Sequence, residues 1–370
     1  MKPTDIIRPE IGALSSYHVQ PAAGFIKLDA MENPYAFPQS MPEALQAGLL
    51  ERLSEVSLNR YPAADAPELK ASIRHAMQIP AELDIMLGNG SDEIIQLIAM
   101  AVAKPGAALL SVEPAFVMFK MIATFCGLHY IGVSLKADFS LDADAMVAAI
   151  AREHPAVIFI ANPNNPTGNC FDRKSIARII STAEKNGGLV VIDEAYFPFT
   201  THAHESYLHN ITQHENVVLM RTVSKLGLAG LRLGMLVGRQ VWLQEFDKLR
   251  LPYNINALTQ AAAAFAMEQY GELLKQCDGI KHERIRLATA LANISGIEIF
   301  PSEANFILIR VTGDTAVNTE ADKMFAKLLS RKILVKNTSK SHPLLANTLR
   351  LTVGTPTEND AMIAALNENS

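Results

Sequence analysis

Leu189-Val-Val-Ile192-Asp193-Glu-Ala-Tyr196 decides the architecture, because it is a short, wholly apolar run that stops at a carboxylate. A brief apolar run bounded by polar turns reads as a strand buried on both faces. The same texture recurs at Ala107–Val112, Ala156–Ala161, Val217–Met220 and Leu233–Val237. Between these runs lie longer segments whose apolar residues return every three or four positions: Ser91–Ala103, Asp142–Arg152 and Asp172–Asn186. That spacing belongs to amphipathic helices. Strands alternating with helices predict a largely parallel sheet covered on both faces, with ligands bound beyond the strands' C-terminal ends. Asn165, Asp193 and the segment Thr222 to Lys225 each come just after a strand.

Beyond about Cys277 the pattern changes. A charged helical stretch, Lys281 to Asn293, leads into Ile297–Phe300 and Asn305–Val311, a helix near Ala321–Arg331, then Ile333–Val335, Thr348–Val353 and a final helix. Short strands mixed with helices predict a separate, smaller α+β domain. The expected division is therefore an N-terminal segment over 1–41 that runs across both domains, a large domain over 42–277 and a small domain over 278–370.

Composition narrows the function. Of 370 residues, 49% are hydrophobic and 19% charged, which suits a well-buried globular core. A net charge of −5, without a Lys/Arg run, argues against a nucleic-acid groove. The three cysteines, Cys126, Cys170 and Cys277, are widely spaced, and no Cys/His ligand spacing suggests a disulfide framework or a metal site. No apolar run is long enough to span a bilayer and no signal peptide is visible at the N-terminus, so a cytoplasmic protein is expected.

Three loops carry the chemistry. They are Asn162-Pro-Asn-Asn165-Pro-Thr-Gly168, Asp193-Glu-Ala-Tyr196 and Thr222-Val-Ser224-Lys225-Leu-Gly-Leu-Ala-Gly-Leu-Arg232. Together they supply an amide, a carboxylate, a phenol, an amine and a guanidinium. Pyridoxal phosphate requires that set: a lysine to bind its aldehyde, an acid to keep its ring nitrogen protonated and a cation for its phosphate. Lys225 would hold the aldehyde and later move a proton, a task for one flexible amine within reach of one carbon. Asp193 would pair with the ring nitrogen, although a strand-end acid also commonly caps the next turn. Tyr196 and Asn165 would meet the phenolic oxygen.

For the phosphate, Gly88-Asn-Gly90-Ser91-Asp92-Glu93 opens a helix after a strand and offers free N–H groups at a positive dipole end; the same residues also make an ordinary N-cap. Thr222 and Ser224 add hydroxyls and Arg232 a planar cation. Phe116 could stack on the ring or simply belong to the core.

These residues resemble the fold-type-I, class-II pyridoxal-phosphate-dependent aminotransferases, and within them the histidinol-phosphate aminotransferase family. The likeness also rests on Asp29-Ala-Met-Glu32-Asn33-Pro34-Tyr35, Asn59-Arg60-Tyr61-Pro62 and Leu349-Arg350-Leu-Thr-Val-Gly354, and it spans essentially the whole chain. It implies a mostly parallel seven-stranded sheet between helices plus a small α+β domain. It further implies a homodimer with contacts from the N-terminal segment, in which Tyr61 reaches the cofactor phosphate of the other subunit. Arg350 would bind the acidic group of each substrate, and Tyr17 and Asn33 would line the substrate pocket. Lys336 stands where several relatives carry a second arginine, keeping the charge without the planar fork. The reaction implied is amino transfer between L-histidinol phosphate and 2-oxoglutarate, giving imidazole acetol phosphate and L-glutamate in histidine biosynthesis. An aromatic amino-acid aminotransferase or a threonine-phosphate decarboxylase on the same fold are the alternatives.

Overall fold

The computed structural model describes residues 2–16, 20–201, 206–313 and 319–367. Twelve strands form two sheets among the described residues: β1 Ile26–Leu28, β2 Asp84–Asn89, β3 Ala108–Glu113, β4 His129–Ser134, β5 Val157–Ala161, β6 Leu189–Asp193, β7 Val217–Thr222, β8 Leu233–Gly238, β9 Ile297–Ile299, β10 Phe306–Val311, β11 Ile333–Asn337 and β12 Thr348–Thr352. The large sheet has seven strands in the order β2-β8-β7-β6-β5-β3-β4, and the small one has five in the order β1-β11-β12-β10-β9. The α/β architecture with a mostly parallel seven-stranded sheet agrees with the expectation from sequence.

Alternation along the large sheet explains why its inner strands are apolar throughout. Ile158, Ile160, Val190, Ile192, Leu219 and Val237 face one hydrophobic layer, which continues into the small sheet. Phe159, Val191, Val218 and Leu236 face the other, against Ile94, Ile98, Phe119 and Ile122 of the helices Ser91–Val102 and Val117–Cys126. With water on neither face, a strand has no polar alternation to show. The five apolar runs of the sequence are these inner strands. The edge strand β4, His-Tyr-Ile-Gly-Val-Ser, is half exposed and carries no such run.

Within the seven-stranded sheet β8 alone runs against the other strands, antiparallel to β2 and β7. Ten residues, Val223 to Arg232, link β7 to β8, too few for a crossover to a parallel strand. The link therefore reverses at the C-terminal end of β7 and keeps Lys225 and Arg232 there. Helix starts follow side-chain capping: Asp142 accepts from the Ala145 amide at 3.0 Å and Asp172 from the Ser175 amide at 2.8 Å.

The small sheet is completed from the far end of the chain. β1 pairs in parallel with β11, Ile26 opposite Ile333, so the N-terminal segment joins C-terminal strands. The helix Tyr270–Leu291 runs unbroken through the point at which the sequence texture changes, and it packs on the turns Phe197–Phe199 and Ser224–Leu226 of the large sheet and on β9 and β10 of the small one. No helix among the described residues is long and apolar enough to cross a membrane.

One buried ion pair fixes the loop that follows β6. Arg221 Nη2 lies 2.8 Å from Glu194 Oε2, and Glu194 also accepts from Ser206 Oγ at 2.9 Å and the Tyr207 amide at 2.7 Å. A buried pair adds little net stability, but removing one partner strands the other charge in the core. Arg221→Met is therefore expected to lower unfolding free energy by about 3–5 kcal/mol, read from the urea midpoint; a change within error would show that Glu194 finds another partner.

Candidate active site

A cavity of about 230 Å³ lies at the C-terminal end of the parallel strands, lined in part by Asp193, Tyr196, Asn165, Thr222, Ser224 and Lys225. Ser91, Asp92, Phe116 and Arg232 complete the set of sequence-expected residues on its wall. Each arrives on a different loop, and strand register brings the loops together. Asp193, the last residue of β6, pairs with Ala161 of β5, whose methyl group leaves the space in front of the carboxylate open.

Asp193 is 5% exposed and accepts one backbone hydrogen bond, from the Ala195 amide at 3.0 Å. Burial pushes its pKa up to about 7, reinforced by the nearby charges of Asp92 and Glu194. Lys225 sits on a single turn of 3₁₀ helix after β7, and its Nζ donates to the Ala30 carbonyl at 3.3 Å. Burial and then the Arg350 charge lower this amine to about 8. A carboxyl pushed up and an amine pushed down in one cavity are what a site for proton transfer provides.

Asn165 links two halves of the site. Its Nδ2 donates to the Tyr196 hydroxyl at 3.2 Å, while its Oδ1 accepts from Arg350 Nη1 at 2.6 Å. Arg350, on β12 of the small sheet, also donates through Nη2 to the Asp29 carbonyl at 2.8 Å. Its guanidinium is thus carried across to the large sheet's loops. The adjacent Asn164 ties this loop to the Phe116 loop by donating to the Pro114 carbonyl at 3.0 Å.

The helix Ser91–Val102 presents its N-terminus to the cavity, preceded by Gly90 at φ +79°. A Cβ on Gly90 would lie 2.5 Å from Arg232 Nη2, and one on Gly234 would lie 2.7 Å from the Ser91 nitrogen. Both positions therefore need glycine, which lets β8 and Arg232 close against the helix start. Arg232 approaches Asp92 at 3.6 Å, and the Thr222 and Ser224 hydroxyls bond each other at 2.8 Å. Free amides, two hydroxyls and a guanidinium at a helix N-terminus could hold a phosphate.

A second cavity of about 260 Å³ adjoins the first and shares Met31, Phe116 and Asn165 with it. Arg350 and Lys336, register partners on β12 and β11, both line it. Two expected residues stand elsewhere. Asn33 lines neither cavity; its Nδ2 donates to Gln276 at 3.2 Å, close to Gly227 and two residues from Lys225. Tyr61 is 80% exposed and stacks on Tyr253 with ring centroids 4.5 Å apart, outside both cavities. Tyr17 lies outside the described residues.

Met31 is the principal addition. It sits at φ +53°, with its amide donating to Thr352 Oγ1 at 3.0 Å, its carbonyl accepting from Asn305 at 2.9 Å and its sulfur 3.2 Å from the Tyr196 hydroxyl. An apolar residue in an aperiodic segment gives no signal for such a place. Contacts made 274 and 321 residues away hold it there.

Comparison with known proteins accords with this geometry. The chain is 52% identical to histidinol-phosphate aminotransferase 1 of Burkholderia lata over 98% of each chain. It is 48% identical to histidinol-phosphate aminotransferase 2 of Cupriavidus pinatubonensis, over 97% of this chain and 95% of that one. The crystal structure of histidinol-phosphate aminotransferase from Sinorhizobium meliloti in complex with pyridoxal-5'-phosphate superposes with a TM-score of 0.84, covering 98% of this chain and 96% of that one; at 22% identity it speaks for the fold alone. The family model for aminotransferase class I and II matches residues 23–366, and the chain belongs to that family.

Proposed function

We propose that this chain is a pyridoxal-phosphate-dependent aminotransferase that moves an amino group between L-histidinol phosphate and 2-oxoglutarate, giving imidazole acetol phosphate and L-glutamate in histidine biosynthesis. The observation that carries the reaction class is one cavity joining Lys225, Asp193 and an anion-ready helix start, with Arg350 reaching over it from the small sheet. The substrate rests on relatives about half identical over nearly the full chain.

The residues fit the cofactor. A buried carboxyl with no ion pair among the described residues suits a protonated ring nitrogen, since a cation there would offset the burial that raises its pKa. Lys225 would hold the aldehyde, Tyr196 and Asn165 the phenolic oxygen, and Phe116 a face of the ring. Gly90, Ser91, Asp92, Thr222, Ser224 and Arg232 would hold the phosphate. When bound, pyridoxal phosphate supplies an electron sink for charge developing at the substrate's α-carbon. Lys225 would take up and return the proton of that carbon, and its lowered pKa leaves a useful fraction of free amine near neutrality. Arg350, with Lys336 beside it, would bind the phosphate of one substrate and the carboxylate of the other in turn.

The protein would act as a cytoplasmic homodimer. Exposed Leu58, Tyr61, Leu251 and Tyr253 line an open apolar depression that a second copy would cover, bringing Tyr61 to the other copy's phosphate site. The free thiols of Cys126 and Cys277 suit a reducing compartment. The large domain over 42–277 and the small one over 278–370, with residues 1–41 bridging them, would divide the labour between cofactor and substrate.

The purified protein should form glutamate from 2-oxoglutarate with L-histidinol phosphate as donor far faster than with phenylalanine, and Lys225→Ala should lower kcat on the order of 10⁴-fold. Equal rates for the two donors would move the substrate, and a working Lys225→Ala variant would remove the central residue. Arg350→Ala should cut kcat/KM by about 100-fold in both half-reactions; a loss confined to one would assign the other acidic group to Lys336.

Asp193 gives a further expectation from linkage. A carboxyl raised in the folded state favours folding at low pH, and that contribution is lost as pH rises from the ordinary carboxylate range towards 7. Cofactor-free Asp193→Asn should therefore melt several degrees above the parent at pH 8, with the gap narrowing as pH falls towards 4. A gap independent of pH would mean that Asp193 is not raised.

A further inference from the structure

The second cavity contains an acid that the proposed chemistry does not use. Glu113, the last residue of β3, lines it together with Tyr130, Lys120 and His342. Its carboxylate lies across β4 at Gly132, where a Cβ would come 2.6 Å from Glu113 Oε2, so only glycine leaves room. Tyr130 lies beside it, its phenol held above its usual pKa by burial and then by the Glu113 charge, Lys120 Nζ stands 3.5 Å from Oε1, and His342 Nε2 stands 4.0 Å from Oε2. Such a fixed carboxylate can only accept hydrogen bonds.

A donor with its amine at Lys225 and its acidic group on Arg350 has one substituent left, and the second cavity is the space beside those two groups. A ring bearing N–H adds a hydrogen bond to Glu113; a phenyl ring covers the carboxylate without supplying one. A site built to bond a substrate N–H discriminates strongly against an analogue that lacks it. We infer that Glu113 is a specificity-determining residue, accepting a hydrogen bond from the imidazole N–H of the amino donor. The inference rests on the proposed substrate reading of the site.

The same place must also accept the second carboxylate of 2-oxoglutarate, which Glu113 alone would repel. Lys120 and His342 are the donors for it. His342 Nδ1 accepts from the Leu344 amide at 3.2 Å, which assigns its proton to Nε2, on the side of Glu113. Burial holds the His342 pKa below its usual value, so the ring serves as a neutral donor near pH 7. One acceptor flanked by two donors lets a single cavity take a neutral ring and an anion in alternation.

The test is kcat/KM for L-histidinol phosphate, phenylalanine and glutamate as donors to the loaded enzyme, in the parent and in Glu113→Leu. The expected result is a fall of about 10- to 100-fold for histidinol phosphate, expressed mainly in KM, with phenylalanine and glutamate unchanged or improved. Should the leucine variant fail to fold, as a thermal melt reports, Glu113→Gln retains an acceptor oxygen and should shift the same ratio in the same direction by a smaller factor. An unchanged ratio of histidinol phosphate to phenylalanine, or an equal loss for all three donors, would overturn the inference. A parent enzyme without preference for histidinol phosphate would overturn the substrate reading and the inference with it, and that failure is visible before any substitution.

Discussion

Burying a carboxylate costs several kcal/mol unless a cation or a set of donors compensates, and two adjacent carboxylates at the end of β6 meet this constraint in opposite ways. Glu194 points to Arg221, Ser206 and the Tyr207 amide and is fully satisfied within the protein. Asp193 points to the other face of the strand, where the Ala195 amide is its one recorded hydrogen-bond partner among the described residues. The first anchors the loop, and the second is left for a cationic group entering the cavity. A strand alternates faces with each residue, so one step along the chain separates the structural acid from the chemical one.

The site is assembled across two sheets that the chain joins from distant points. Asn165 hydrogen-bonds Tyr196 on the large-sheet side and Arg350 on the small-sheet side. Met31 is pinned by Thr352 and Asn305 while its sulfur touches Tyr196. A shift of the small sheet would therefore move Arg350, Asn165 and Met31 together, coupling the place for an acidic group to the place for proton transfer. Lys225 feels the same junction, because the Arg350 charge is second only to burial in lowering its pKa.

The inner strands and the loops after them were legible because both faces of each strand are buried, and the residues at their ends break the apolar run abruptly. Asp193 after Leu-Val-Val-Ile and Lys225 after β7 are visible for that reason. The Glu113 cluster was not legible: it depends on the pairing of β3 with the edge strand β4 and on His342, more than two hundred residues away. Met31 owes its position to long-range hydrogen bonds, and Asn33 faces the helix Tyr270–Leu291 through a contact no local pattern encodes. Local propensity and period reveal elements and the residues that interrupt them, whereas loops meeting from separate sheets are settled by tertiary packing.

The most direct measurement is a visible absorbance titration of the protein reconstituted with pyridoxal phosphate, adding L-histidinol phosphate and then 2-oxoglutarate. The band of the lysine-bound cofactor is expected to bleach with the first and to return with the second. A protein that binds no cofactor, or a band indifferent to both additions, would contradict the assignment of Lys225 and Asp193 to amino transfer.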